Sequence, residues 1–430
     1  MDSTRKAIAK YNKLINDFPG SSFVIISYLQ LGLIYYNTGN NDEAIRVYKQ
    51  IISQYPGTHE AKNALLGIKN IYIDLHEEDQ YFEYAKGLGD FADIRKTEQD
   101  SLSYLSGEKL YMSGDCEKST GHFEKYISRF PEGSFVLNAN YYLAGCYLKA
   151  ERYDDALKSF NFIISKPRNV FTEDALLKAA EIYYDRKDYK EAIADFSLLE
   201  NLAEVKSNLL EARTGLMRCY FILKNDSAAI LAANSVILTE KVPDEVVREA
   251  HYICGKSYLN INNLESAYNE FRLISKNTRS KEGAEAKYYL AEILFRQNQT
   301  EQSKKEIFEF NNSNTPHQFW LAKAIVLLAE IYRQEGDRFQ AKQTLESVIN
   351  NYEVHDDGII EAAKLKLNEI IKQEEEENML KMKKEQEKNF DENGDLNQEE
   401  PVRTDSVPGN PKPDDIKINR QDTIVKPEKK

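Results

Sequence analysis

The sequence predicts an all-α solenoid, in which antiparallel helix pairs stack side by side on one continuous core. Three observations predict it. First, an anchor residue, small in nine copies of ten, recurs at Ala7, Ala44, Tyr81, Ser119, Ala156, Ala192, Ala229, Ala267, Ser303 and Ala341, at intervals of 36 to 38 residues. Second, most copies place another small residue twelve positions before the anchor and an aromatic four positions after it, which gives two helical faces per copy. Third, several copies end in aromatic-Pro: Phe18-Pro19, Tyr55-Pro56 and Phe130-Pro131. A unit of this length cannot bury its apolar face alone, and stacking neighbours supplies the core.

With the anchor numbered position 20 of its unit, the elements follow in order. The chain opens in mid-unit: Ala7, Tyr11 and Pro19 are second-helix landmarks of a helix over 3–17 that lacks its first helix. That apolar edge is expected either as a crude cap or, preferably, as the sign of a C-terminal part of a longer protein, because terminal units normally carry a polar outer face. In the units that follow, Gly32, Gly107, Ala144, Ala180, Gly255, Ala291 and Ala329 at position 8 let the helices approach closely. Larger side chains there would overpack the pair. Tyr35, Tyr147, Tyr183, Tyr220, Tyr258 and Tyr332 at position 11 are expected between the two helices of a unit. Tyr48, Phe123, Phe160, Phe196 and Phe271 at position 24 are expected to wedge against the next unit. Proline ends the second helix, and Ser21, Thr58, Ser134 and Thr172 are expected to start the next first helix as caps. Two units are degenerate: the one anchored at Tyr81 carries Lys69 at position 8, and the one anchored at Ser303 has Leu294 and Ile307 in place of aromatics. The predicted solenoid covers residues 1–371, ending in a cap helix with Ile360, Ala363, Leu367, Ile370 and Ile371 on one face. A charged helical extension is expected over 372–388 and a disordered Pro- and charge-rich tail over 389–430.

Composition narrows the function classes. The net charge is −13 with no basic stripe, which argues against nucleic acid and anionic membrane surfaces as partners. No apolar run approaches the length of about 20 residues needed to cross a bilayer. The aromatics are skewed to 27 Tyr and 19 Phe against one Trp, which suits half-buried helix faces. Cys116, Cys146, Cys219 and Cys254 form no CxxC pair, and Cys146, Cys219 and Cys254 are expected as small core hydrophobes rather than disulfide partners. No phosphate loop, dinucleotide fingerprint, zinc-protease helix or nucleophile elbow is present, and the six histidines show no metal-ligand spacing. The segment 391–397 has an outline like a calcium loop but places Leu396 where the sharp turn needs glycine. No catalytic residue, cofactor or metal is therefore assigned.

The candidate site is the wall lined by first-helix positions 2, 5, 9 and 12, the concave face of such a stack. Position 12 supplies Tyr36, Tyr111, Tyr184, Phe221 and Phe295, and position 5 supplies Tyr104, Tyr141, Tyr252 and Tyr288. A ladder of rings like this suits an extended peptide or a partner helix, while packing between neighbouring first helices competes for each single ring. Glu108, Glu181, Glu292 and Glu330 at position 9, with Glu211, Glu249 and Glu285 at position 2, make the wall partly acidic and favour a basic or neutral partner.

Tyr28-x-x-Leu31-Gly32-x-x-Tyr35, with Ala44, Tyr48 and Pro56, resembles the tetratricopeptide repeat, and the resemblance covers residues 2–371. It implies a right-handed superhelix of about nine helix pairs acting as a protein- or peptide-binding scaffold. The Lys and Asn with which some such domains clamp a chaperone's C-terminus are missing, since Asn70 stands with Leu66. The segments 67–73, 99–104, 130–134 with 141–144, and 171–175 are similar to large exported tetratricopeptide proteins of Bacteroidetes. The aromatic-Pro-Gly-Ser linkers resemble envelope proteins that assist outer-membrane assembly or the Tol–Pal system. These resemblances imply a periplasmic or envelope interaction role, against a cytoplasmic alternative. Two other readings stand beside the scaffold: a self-associating envelope assembly protein, and the regulatory arm of a larger protein.

Overall fold

The computed structural model describes residues 2–92 and 94–393, with the side chains of residues 3–388 apart from residue 93. Among them are twenty α-helices, one 3-10 turn and no strand. After α1 (Asp2–Asp17) the helices succeed one another in pairs: α2 (Phe23–Asn37) and α3 (Asn41–Gln54), α4 (His59–Asp74) and α5 (Glu78–Gly87), α6 (Lys96–Met112) and α7 (Cys116–Arg129), α8 (Val136–Lys149) and α9 (Tyr153–Ile164). Then come α10 (Thr172–Asp185) and α11 (Tyr189–Leu202), α12 (Lys206–Ile222) and α13 (Asp226–Ile237), α14 (Asp244–Asn260) and α15 (Leu264–Ile274), α16 (Lys281–Arg296) and α17 (Thr300–Asn311), α18 (Gln318–Gln334) and α19 (Arg338–Asn351). α20 (Ile359–Asn393) follows. The chain forms two compact units, Met1–Ile331 and Tyr332–Lys430.

The turn inside each pair shows why the sequence folds this way. Gly39, His76, Gly114, Glu151, Lys187, Lys224, Asn262, Asn298 and Gly336 all have positive φ, between 56° and 86°. Each lies five residues before its anchor, so every turn inside a pair passes through a left-handed residue at position 15. The following Asp115, Asn225, Asn263 and Asp337 cap the second helix by accepting the backbone N–H three residues on.

In the first unit, every helix from α1 to α16 packs on its successor. Neighbouring first helices also touch directly, as in α2 with α4, α12 with α14 and α14 with α16. The position-24 rings fill the space this leaves. Phe123, Phe160 and Phe271 are fully buried. A Cβ on Gly255 would stand 2.6 Å from the Phe271 ring, and one on Gly32 would overlap Tyr48. The same rings meet position 6 of the next unit, where Phe271 stacks on Tyr289 at 5.2 Å and Phe196 lies against Gly215. Position 8 is thus small because a ring from the second helix occupies the place of its side chain.

Several expectations need correction. Of the four expected caps, Thr58 caps its helix through Ala61 N–H and Ser21 Oγ accepts the Phe23 amide that opens α2, while α8 and α10 have no side-chain cap bond. Ser134 instead donates its amide to buried Asp100, which also accepts the Tyr126 hydroxyl and so clamps the linker before α8. Cys116 and Cys146 form a disulfide, with Cα atoms 5.3 Å apart. The first turn of α7 lies beside the last turn of the antiparallel α8, which brings together residues 30 apart in sequence. Cys219 and Cys254 are buried thiols, pushed by burial up to about 11 and about 12. The degenerate unit at Tyr81 has a short second helix, closed by the 3-10 turn Gly89–Ala92.

In the second unit, α20 is continuous through residue 371, where a boundary was expected, and on to Asn393. Arg338 and Lys342 of α19 hold it through Glu377 and Glu374, at 2.6 and 2.7 Å. The remainder of the expected tail, 394–430, and with it most of the calcium-like segment, lies outside the described residues.

Candidate functional site: the first-helix wall

The nine sequence-predicted rings divide into two classes. At position 5, Tyr104 and Tyr288 are buried, with 4% and 8% exposure, and belong to the packing between units rather than to an open surface. The cause is an aromatic just before the next first helix or in its first turn, which sequence reasoning missed. Tyr104 stacks on Phe135 at 4.6 Å and Tyr141 on Phe171 at 4.6 Å, and Tyr288 lies tilted against Trp320 at 5.6 Å. Each partner sits 21 residues before its anchor, so the signal was present as a further repeat position. The hydroxyls are engaged too: Tyr104 donates to Glu108 at 2.7 Å, and Tyr141 donates to Asp174 at 2.8 Å. Burial, first of all, pushes the phenols of Tyr104, Tyr141, Tyr252 and Tyr288 upward, with the neighbouring carboxylates adding to it.

At position 12 the rings of Tyr36, Tyr111, Tyr184, Phe221 and Phe295 are half-buried. Tyr36 donates to Asp74, and that bond raises its phenol to about 12. Tyr111 stacks on Tyr142 at 4.5 Å. Three ladder rings come together: Tyr184, Phe221 and Tyr252 line one groove of about 530 Å³ with Ile222, Val246, Arg218 and Glu249. Phe221 meets Tyr252 edge-on at 6.4 Å.

Charged residues bridge the units at two successive junctions. Position 9 of one unit reaches position 2 of the next: Arg218 grips Glu249 bidentately at 2.7 and 2.8 Å, and Lys256 reaches Glu285 at 3.0 Å. Glu249 raises the Arg218 guanidinium, as a partner that favours the charged form must. The acids counted as surface charge in the sequence are in these cases half of an inter-unit pair, which leaves the groove nearly neutral. It is a mixed cleft, in which the three rings, Ile222, Val246 and Ile253 alternate with Arg218, Glu245, Arg248, Glu249 and Glu282, suited to an extended peptide or one face of a helix. Among the described residues no group of His, Cys, Asp and Glu is arranged to hold a metal ion, and no helix is long and apolar enough to cross a membrane.

Residues 27–58, 174–201 and 323–353 match the profile of the tetratricopeptide repeat. The chain carries tetratricopeptide repeats. It is similar to a tetratricopeptide repeat protein from Parabacteroides merdae, at 17% identity over 62% of this chain and 98% of that one, with a TM-score of 0.33. It is also similar to the C-terminal part of a repeat-containing protein from Cytophaga hutchinsonii, at 18% identity over 57% and 93%, TM-score 0.32. The tetratricopeptide domain of P58(IPK) aligns at 14% identity over 81% and 99%, TM-score 0.23. Such identities speak to the fold alone. A comparison with curated proteins finds no match.

Proposed function

We propose that this tetratricopeptide chain is a non-catalytic scaffold that binds partner proteins or peptides on the wall of its first helices, in an oxidising cell-envelope compartment. The observation that carries the binding role is the groove of Tyr184, Phe221 and Tyr252, whose rings are only half-buried while Arg218 and Glu249 beside them are already paired with each other. Rigid aromatic surface of this kind is what binding hot spots are made of. The compartment rests on the Cys116–Cys146 disulfide, since such bonds persist in oxidising environments and are rare in a reducing cytosol. The likeness to exported Bacteroidetes repeat proteins points the same way. The test is affinity capture from separated envelope and cytosolic extracts, with the native chain and a Tyr184→Ala/Phe221→Ala variant as baits. A protein retained from the envelope by the native chain alone, with both baits melting alike, supports the reading. Equal retention by both baits moves the site off this wall, and retention from cytosol alone overturns the compartment.

A further inference from the structure

Two successive junctions of the wall carry this bridge, Arg218 to Glu249 and Lys256 to Glu285, and the next one does not. Position 2 reads Glu211, Glu249 and Glu285 in successive units, and then Lys323. By register Lys323 should meet Glu292, the position-9 residue of the preceding unit, but Arg296 one turn further along α16 holds Glu292. No carboxylate among the described residues lies within ion-pairing distance of Lys323, whereas Arg218, Lys256 and Lys287 on the preceding first helices each have one. The Lys323 ammonium is held instead over three rings, 4.9 Å from the Tyr288 centroid, 5.1 Å from Trp320 and 5.8 Å from Phe319. Those rings are themselves fixed: Trp320 packs on Tyr288 at 5.6 Å and edge-on to Phe319 at 5.0 Å. The loop leading into α18 is pinned as well, by Thr315 donating to the Thr278 carbonyl at 2.7 Å.

We infer that Lys323, with Phe319 and Trp320, is a carboxylate-reading anchor for an acidic segment of a partner protein. The aromatic faces stabilise the cation without neutralising it, and they hold a long side chain in one place, which lowers the entropy lost when an anion docks. Phe319, Trp320 and Lys323 itself are only half-buried, so apolar surface stands beside the charge. The occupant that fits is an extended segment placing Asp or Glu next to a large apolar side chain. The net charge of −13 does not forbid this, because at physiological salt fields beyond a Debye length of about 8 Å are largely screened and the local ammonium decides. The inference rests on the first-helix wall being the binding face.

Trp320 is the one tryptophan of the chain, so its fluorescence reports this site directly. The probe is a blocked hexapeptide of alternating leucine and glutamate, titrated into the full chain beside its glutamine counterpart. The expected result is a saturable Trp320 signal with the glutamate peptide, binding about tenfold weaker with the glutamine peptide, and the same loss in Lys323→Gln. Lys323→Arg should keep affinity within about threefold, because it keeps the charge. No saturable signal, equal binding of both peptides, or a Lys323→Gln variant that melts lower but binds equally would overturn the anchor. The Tyr184→Ala/Phe221→Ala variant separates the two proposals: it should lose envelope capture while keeping the peptide signal.

Discussion

A single methyl group is enough to test how the rings are seated. Gly255→Ala would put a Cβ 2.6 Å from Phe271, which is fully buried and flanked on its other side by Tyr289. Overpacking of this kind costs about 1–3 kcal/mol, against about 1 kcal/mol gained in helix propensity. A net loss of roughly 1 kcal/mol in urea unfolding is expected, whereas the same change at exposed Gly121, with nothing within 4 Å, should stabilise. Asp195 gives a pH signature. Burial pushes its carboxyl up to about 6, and its buried Oδ2 lacks a partner. Between the ordinary aspartate value and about 6 the folded state therefore holds more protons than the unfolded one, so this group's contribution to stability rises as pH falls through that window. Asp195→Asn should stabilise the chain by roughly 1 kcal/mol at pH 7, after discounting for its partial exposure, and by almost nothing at pH 4. Denaturation at the two pH values decides it; an equal effect at both removes the buried charge as the cause.

At the scale of elements, the pairs are held by their turns and by one covalent clasp. Lys187 and Lys224 adopt φ values of 67° and 56°, where a side chain costs about 1–2 kcal/mol and glycine almost nothing. Lys187→Gly and Lys224→Gly should each stabilise by about 1 kcal/mol despite the looser unfolded chain. The equivalent Gly39 and Gly114 should show the reverse on changing to alanine, read in parallel thermal melts. The disulfide closes a loop of 30 residues across α7 and α8, and a loop of that size constrains the unfolded chain by about 3–4 kcal/mol. Cys116→Ala/Cys146→Ala should lower stability by that order, and a reductant should do the same to the native chain while leaving the variant unchanged. A reductant without effect on the native chain would show the thiols to be unpaired in solution.

At the scale of the whole molecule, the sequence showed its period because the same steric demand recurs in five of the nine pairs: one ring from the second helix must fit over one small residue of the first. That demand is local, and Gly32 with Tyr48 or Gly107 with Phe123 displays it at a fixed spacing. What joins one unit to the next was harder to read. The pairing of Arg218 with Glu249, and the stacking of Tyr141 on Phe171, span about one period, so each residue alone looked like solvated charge or free ring. The disulfide was hidden for the same reason, since its two cysteines sit at unrelated positions of adjacent units. Tyr104 and Tyr288 were misplaced on an open wall because burial depends on what the next unit brings. The candidate site therefore shrank from nine rings to those that keep an open face, with Tyr184, Phe221 and Tyr252 as its centre.

The central claim is that a partner lies on the first helices. The most direct measurement is hydrogen exchange of the chain alone and in complex with the envelope protein it captures. Protection is expected in α10, α12 and α14, around Tyr184, Phe221 and Tyr252, with α11, α13 and α15 unchanged. Protection confined to the second helices would contradict the account.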